Sequence, residues 1–150
     1  MGALALVALC LSCGAAWAGA GADALALLEK LKPGMTYEEV EELLAPAADS
    51  HAVGGDAALV RRAWLHGDFG VEIYFLHGKA YRIDVMSSFS HEIDALRAMD
   101  ELLQIGRRRY GSVPRFDTSL GEYYWIDGPY RLSYAKAGPY DVRASRRAAQ

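Results

Sequence analysis

At 150 residues, 52% of them hydrophobic and 23% charged, the chain has room for one ordinary domain with a core of its own and too little for two. Its net charge of −3 hides a gradient: residues 1–60 carry net −6, residues 61–106 net −2 and residues 107–150 net +5. Cys10 and Cys13, its two cysteines, both fall in an apolar leader, so the chain beyond residue 18 holds no thiolate for a disulfide or a cysteine metal site.

Residues 1–18 have no charged side chain, run apolar from Ala3 to Leu11 and end on Ala16, Trp17 and Ala18, a small residue on each side of a variable one. That is the layout of a secretory signal peptide, and the run is shorter than the roughly 20 residues a membrane-spanning helix needs. It predicts export to the periplasm or beyond, with cleavage after Ala18. The leader lacks the basic residue that usually comes first, and its bland alternative is a disordered apolar extension. Cys13 as the first mature residue would instead make a lipoprotein of the outer membrane, although Cys10, Leu11 and Ser12 before it lack the aliphatic residue expected three places ahead.

Asp23 to Leu31 spaces Leu27, Leu28 and Leu31 for one helical face and stops at Pro33 and Gly34. Thr36 and Glu39 then form a capping box, with Val40, Leu43 and Leu44 as the buried stripe of a second helix and Glu38, Glu41 and Glu42 in water. Pro46 ends that helix near Ala45. Residues 47–57 are small, polar and glycine-containing, and are predicted as a surface loop.

From Val60 to Val85 the period becomes two. Phe69, Val71, Ile73 and Phe75 share one face of a strand, and Tyr81, Ile83 and Val85 share one face of the next. A three-residue loop of His77, Gly78 and Lys79 would pair Phe75 with Tyr81 and Ile73 with Ile83. Ser90 is placed to cap a longer helix with Ile93, Leu96, Met99, Leu103 and Tyr110 as its stripe, closed by Arg107, Arg108, Arg109 and Gly111. A second alternating region carries Tyr123 and Trp125, then Tyr130, Leu132 and Tyr134, then Tyr140 and Val142.

The two alternating regions echo each other: Trp64, two residues, Gly67, one residue, Phe69 matches Trp125, two residues, Gly128, one residue, Tyr130. With His66-Gly67 and Asp127-Gly128 as two-residue turns, Trp64 would face Phe69 and Trp125 would face Tyr130. Each region follows a helix, which predicts an α+β domain over residues 19–150 with helices packed on one face of an antiparallel sheet, built from tandem α-β-β-β repeats near 23–87 and 90–145.

The stretch KPGMTYEEVEELLAP from Lys32 to Pro46, followed by Trp64 and by YFLHGKAYRIDV, resembles small outer-membrane lipoproteins of the SmpA/OmlA type and the wider group sharing the fold of β-lactamase inhibitor proteins. Gly34, Met35, Thr36, Val40, Leu43, Leu44, Pro46, Phe75, Gly78 and Lys79 carry it, over roughly residues 27–87. The resemblance implies a helix pair on an antiparallel sheet that works by binding protein and not by catalysis.

Catalytic, metal-binding and cofactor patterns are not evident. His66 and His77 sit at opposite ends of a predicted strand, His51 lies in the predicted loop and His91 in a first helical turn. No helical histidine pair, nucleophile elbow or phosphate loop is present. The four glutamates of the second helix suit a solvated face better than calcium, which needs oxygens converging from a looped backbone. The sheet face opposite the helices is then the place for function. It would present Glu72, Tyr74, Arg82, Tyr124, Arg131 and Arg143, with Leu76, Asp84, Met86 and Ser133, and Tyr124 standing opposite Arg131. Tyrosine and arginine on a rigid face favour the centre of a protein interface. The reading is a non-catalytic, exported binding module of the bacterial envelope with a protein partner, no cofactor, no metal and no nucleic acid, touching membrane only if lipidated. Its alternatives are an outer-membrane assembly or scaffold lipoprotein anchored through Cys13, and a small secreted enzyme inhibitor.

Overall fold

The computed structural model describes residues 19–149, so the expected cleavage after Ala18 and lipidation at Cys13 lie outside the described residues. Among the described residues three helices, α1 (Ala20–Lys30), α2 (Tyr37–Leu44) and α3 (Glu92–Tyr110), accompany eight strands: β1 (Asp49–Val53), β2 (Asp56–His66), β3 (Phe69–Leu76), β4 (Lys79–Ser88), β5 (Arg115–Asp117), β6 (Glu122–Asp127), β7 (Tyr130–Lys136) and β8 (Asp141–Ala148). The strands form one antiparallel sheet in the order β1-β2-β3-β4-β8-β7-β6-β5. The helices cover one face, and the α+β class expected from the sequence is the one observed.

Local chemistry accounts for α2. Thr36 Oγ1 accepts from the Glu39 amide at 3.3 Å while the Glu39 carboxylate accepts from the Thr36 amide at 2.8 Å, completing the capping box. Beyond Leu44 the chain turns at Ala45, whose φ of 67° carries it out of the helix before Pro46. Val40 and Leu44 are buried as expected, but Leu43 lies at the flank of the stripe and stays exposed.

Three strand details differ from the sequence expectation. Residues 49–53, expected as loop, form β1, an edge strand turned back on β2 through Gly54 and Gly55 at φ 61° and 76°. Its Asp49, Ser50, His51 and Ala52 are exposed and bury no alternating apolar set, which removed the periodic signal. The hairpins after the two tryptophans turn one residue later than expected, at Gly67-Asp68 and Gly128-Pro129, so Trp64 faces Val71 and Trp125 faces Leu132. Each turn has glycine at positive φ in its first position and a residue without positive φ in its second, the type II′ pattern that Pro129 itself demands. A slip of two residues leaves every side chain on its expected face. In the third hairpin His77-Gly78 is a two-residue turn with Leu76 opposite Lys79, and a bulge restores Ile73 opposite Ile83. Phe75 therefore pairs with Ala80, and Tyr81 is exposed instead of joining the core; Tyr140 lies before β8 and is exposed likewise.

The long helix follows the expected stripe only in part: Met99, Leu103 and Tyr110 pack against the core, whereas Ile93 and Leu96 of its first turns do not. Its N-cap is His91, without a side-chain cap bond, and not Ser90. Ile93 and Leu96 are about half exposed, at 54% and 47%, while Ala95, Ala98, Leu102 and Gly106 are buried against the sheet. Small residues bring the helix axis close. A Cβ on Gly106 would stand 2.2 Å from the Trp125 ring.

The two halves of the sheet follow one plan, with four strands in each and not the expected three. In the first, Trp64 Nε1 donates to the Ala45 carbonyl just past α2 at 2.9 Å; in the second, Trp125 Nε1 donates to the Ser112 carbonyl just past α3 at 3.0 Å. Each indole also meets a ring on the next strand, Phe75 at 6.5 Å and Tyr134 at 5.4 Å between centroids. The seam between the halves is the β4–β8 pairing. Over it lie α1 and α3, running the same way and tied by the Gly21 amide to Glu101 at 3.2 Å and by Arg109 to Glu29. Arg146 of β8 reaches under α1 and donates to the Leu28 carbonyl at 2.9 Å, satisfying a group the helix end leaves open.

Gly106→Ala tests the close approach. The added methyl must displace an indole fixed by its own hydrogen bond. Overpacking of this kind costs about 1–3 kcal/mol, with better helix propensity returning up to about 1. Urea unfolding is expected to show a lower midpoint at unchanged slope.

Candidate protein-binding face

Alternation places every second residue of the strands on the side away from the helices. Across five neighbouring strands from β2 to β7 the open face carries Arg61, Tyr74, Arg82, Arg147 and Arg131 in register. The adjacent row is Ala63, Glu72, Asp84, Ser145, Ser133 and Tyr124. Long side chains of the first row lean over the short ones of the second. Asp84, Ser133 and Ser145 are consequently buried on a face that no helix among the described residues covers.

The polar side chains sort into two clusters. In the first, Arg61 pairs with Glu72 and reaches Asp49 at 3.5 Å, and the Tyr74 hydroxyl donates to Glu72 at 3.4 Å. Arg82 donates to Asp84 at 2.9 Å with its guanidinium 5.7 Å from the Tyr74 ring centre. The Arg61 hydrogen bond holds the Glu72 carboxyl below its ordinary range despite partial burial, while burial and then Glu72 push the Tyr74 hydroxyl up.

The second cluster is built on Glu122, the first residue of β6 and 2% exposed. Its carboxylate accepts from Arg131 at 2.7 Å and from Arg147 at 3.0 Å, with Arg143 at 3.9 Å. Arg131 also donates to Asp117 at 2.8 Å and lies 3.8 Å over the Tyr124 ring. Hydrogen bonds from Ser119 first, then Arg131, hold the Asp117 carboxyl well below the usual carboxylate range.

All six residues singled out in the sequence stand on this face, Glu72, Tyr74 and Arg82 in one cluster and Tyr124, Arg131 and Arg143 in the other. Tyr124 is opposite Ser133 and meets Arg131 diagonally, a consequence of the two-residue slip. Sequence reasoning missed Glu122, Asp117 and Arg147. Glu122 precedes Tyr124 by two and so had to share its face; Arg147 shares the parity of Arg143 along β8, the signal that could have placed it there.

Elsewhere, a cavity of about 800 Å³ opens between α1 and the Gly67-Asp68 turn, its wall mixing Leu27 and Phe69 with Asp23, Lys30, His66 and Ser87. Among the described residues no group of three or more His, Cys, Asp or Glu converges as a metal site, and no helix is long and apolar enough to cross a membrane.

Two measurements check the face. Glu122→Gln leaves three guanidiniums around a neutral amide, and breaking a buried ion pair costs on the order of 3–5 kcal/mol, read as a loss in urea unfolding. Asp117 has its folded value depressed, so its contribution is fully present above the ordinary carboxylate value of about 3.9 and is lost as pH falls towards the depressed one. The melting temperature is expected to drop below about pH 4, less steeply in Asp117→Asn.

The chain matches no family model, and neither a curated protein nor a solved structure matches it.

Proposed function

We propose that this protein is a non-catalytic, exported protein-binding module of the bacterial cell envelope, with the open sheet face as its contact surface. One observation carries the reading: among the described residues an eight-stranded sheet has its helices on one face and tiles the other with tyrosine and arginine, the arginines already held in place by carboxylates. Binding normally immobilises such side chains at a cost of about 0.5–1.5 kcal/mol each, and here much of that ordering precedes contact. Aromatic and arginine anchors are also the residues that concentrate binding energy at interface centres. The resemblance of residues 27–87 to SmpA/OmlA-type lipoproteins and the β-lactamase-inhibitor fold group points the same way.

The tyrosines are the residues to remove. Arg131 is gripped by Glu122 and Asp117, and Arg131→Glu would gather three carboxylates and damage the fold. Tyr74→Ala with Tyr124→Ala is expected to retain the wild-type melting profile within a few degrees and to lose the partner captured from envelope extract, at about 2 kcal/mol or more per anchor. Undiminished capture by the folded double variant would remove this face from consideration. Mass spectrometry of the exported protein is expected to give Gly19 as its first residue.

A further inference from the structure

Arg82, Arg147 and Arg131 stand side by side on β4, β8 and β7, each in register with the next. Like charges directly opposite one another destabilise a sheet. Arg143, four residues before Arg147 on the same strand, adds a fourth guanidinium to the same face. In ion pairs with these four stand Asp84, Asp117 and Glu122, one carboxylate fewer than the guanidiniums, and Glu122 alone is shared among three of them; Asp141, at the far end of the same β8 face, is held instead by the Ser88 hydroxyl. Burial, opposed by Glu122 and reinforced by Arg131 and Arg82, makes the charge on Arg147 harder to carry than in water. Beneath the guanidiniums, Ser133 and Ser145 are buried, and both Ser145 Oγ and Arg131 Nε are buried without a hydrogen-bond partner. The site is thus short of negative charge and of acceptors at once.

We infer that the open face around Arg82, Arg131, Arg143 and Arg147 receives a short acidic peptide segment of another protein, whose carboxylates bridge the arginine row. This rests on the sheet face being the contact surface and names the chemistry of what it contacts. Neighbouring strands are about 4.8 Å apart, so the row from Arg82 to Arg131 spans about 10 Å, and carboxylates at alternate positions of an extended segment, about 7 Å apart, fall within it. Guanidinium forks suit carboxylates geometrically. A long polyanion fits worse, because residues 1–60 carry net −6 and would repel it beyond the patch.

The test titrates the full chain into a dye-labelled hexaglutamate peptide, read by fluorescence anisotropy. Saturable binding that weakens with added salt is expected, with Arg143→Gln and Arg147→Gln each weakening it at least about tenfold and Arg97→Gln, on the helical side, leaving it unchanged. Arg143 is the more peripheral of the pair, so its variant keeps the test available if Arg147→Gln melts early. No binding, or equal loss in Arg97→Gln, overturns the inference. So does displacement of the peptide by inorganic phosphate at matched charge, which would make the face a site for free anions. A dimer that Arg147→Gln disperses would overturn it too, assigning the face to a second copy presenting Glu38, Glu39 and Glu42 of α2. If the partner captured from envelope extract is lost in the Tyr74 and Tyr124 variants but kept by both arginine variants, the contact face stands and only the acidic chemistry fails.

Discussion

Two indole N–H bonds, from Trp64 to the carbonyl after α2 and from Trp125 to the carbonyl after α3, fix how the helical layer sits on the sheet. A buried indole N–H needs an acceptor, and in each half it finds a backbone carbonyl of the segment that leaves the helix. Because the two tryptophans occupy equivalent places in the two hairpins, the helices are anchored at equivalent places in the two halves. The remaining packing follows from this. Gly106 is required where the Trp125 ring comes against α3, and Tyr37, Trp64 and Phe75 fill the corresponding space beneath α2.

Anchoring α1, α2 and α3 on one side decides the character of the other. A sheet face that faces water is ordinarily polar, but here the polar residues are long and ion-paired, and they bury the short ones between them. The neighbours Arg146 and Arg147 show the division at a single peptide bond. Arg146 points inward and closes the end of α1, whereas Arg147 points outward into the Glu122 cluster.

The class of the fold and the membership of the open face were legible because both depend on parity, and parity survives errors of register. Placing the turns one residue early moved each cross-strand partner by two, so Tyr124 lost Arg131 as its direct neighbour yet kept it within stacking distance. The capping box was legible because it is local. The α3 stripe was legible only in part: Met99, Leu103 and Tyr110 pack against the core, and Ile93 and Leu96 do not. A periodicity argument ranks Ile93 and Leu96 above Ala95 and Ala98, but the sheet selects small residues where the helix must come close, and that depends on a tryptophan nineteen residues beyond Gly106. β1 escaped notice because an exposed edge strand buries nothing, and the Glu122 hub because its role depends on arginines brought in from β7 and β8.

The seam between the halves separates local from distant order. Every strand pairing except β4–β8 joins neighbours in the sequence, so each half can assemble from short hairpins, while the seam brings together residues such as Ser88 and Asp141, 53 positions apart. In folding, loop-closure entropy is therefore concentrated in one docking step. The Arg82–Arg147 pairing lies directly across that joint and opposes it by repulsion. The union of the halves and the charge of the open face are thus coupled: the Asp84 and Glu122 carboxylates that hold these two guanidiniums also relieve the repulsion across the joint.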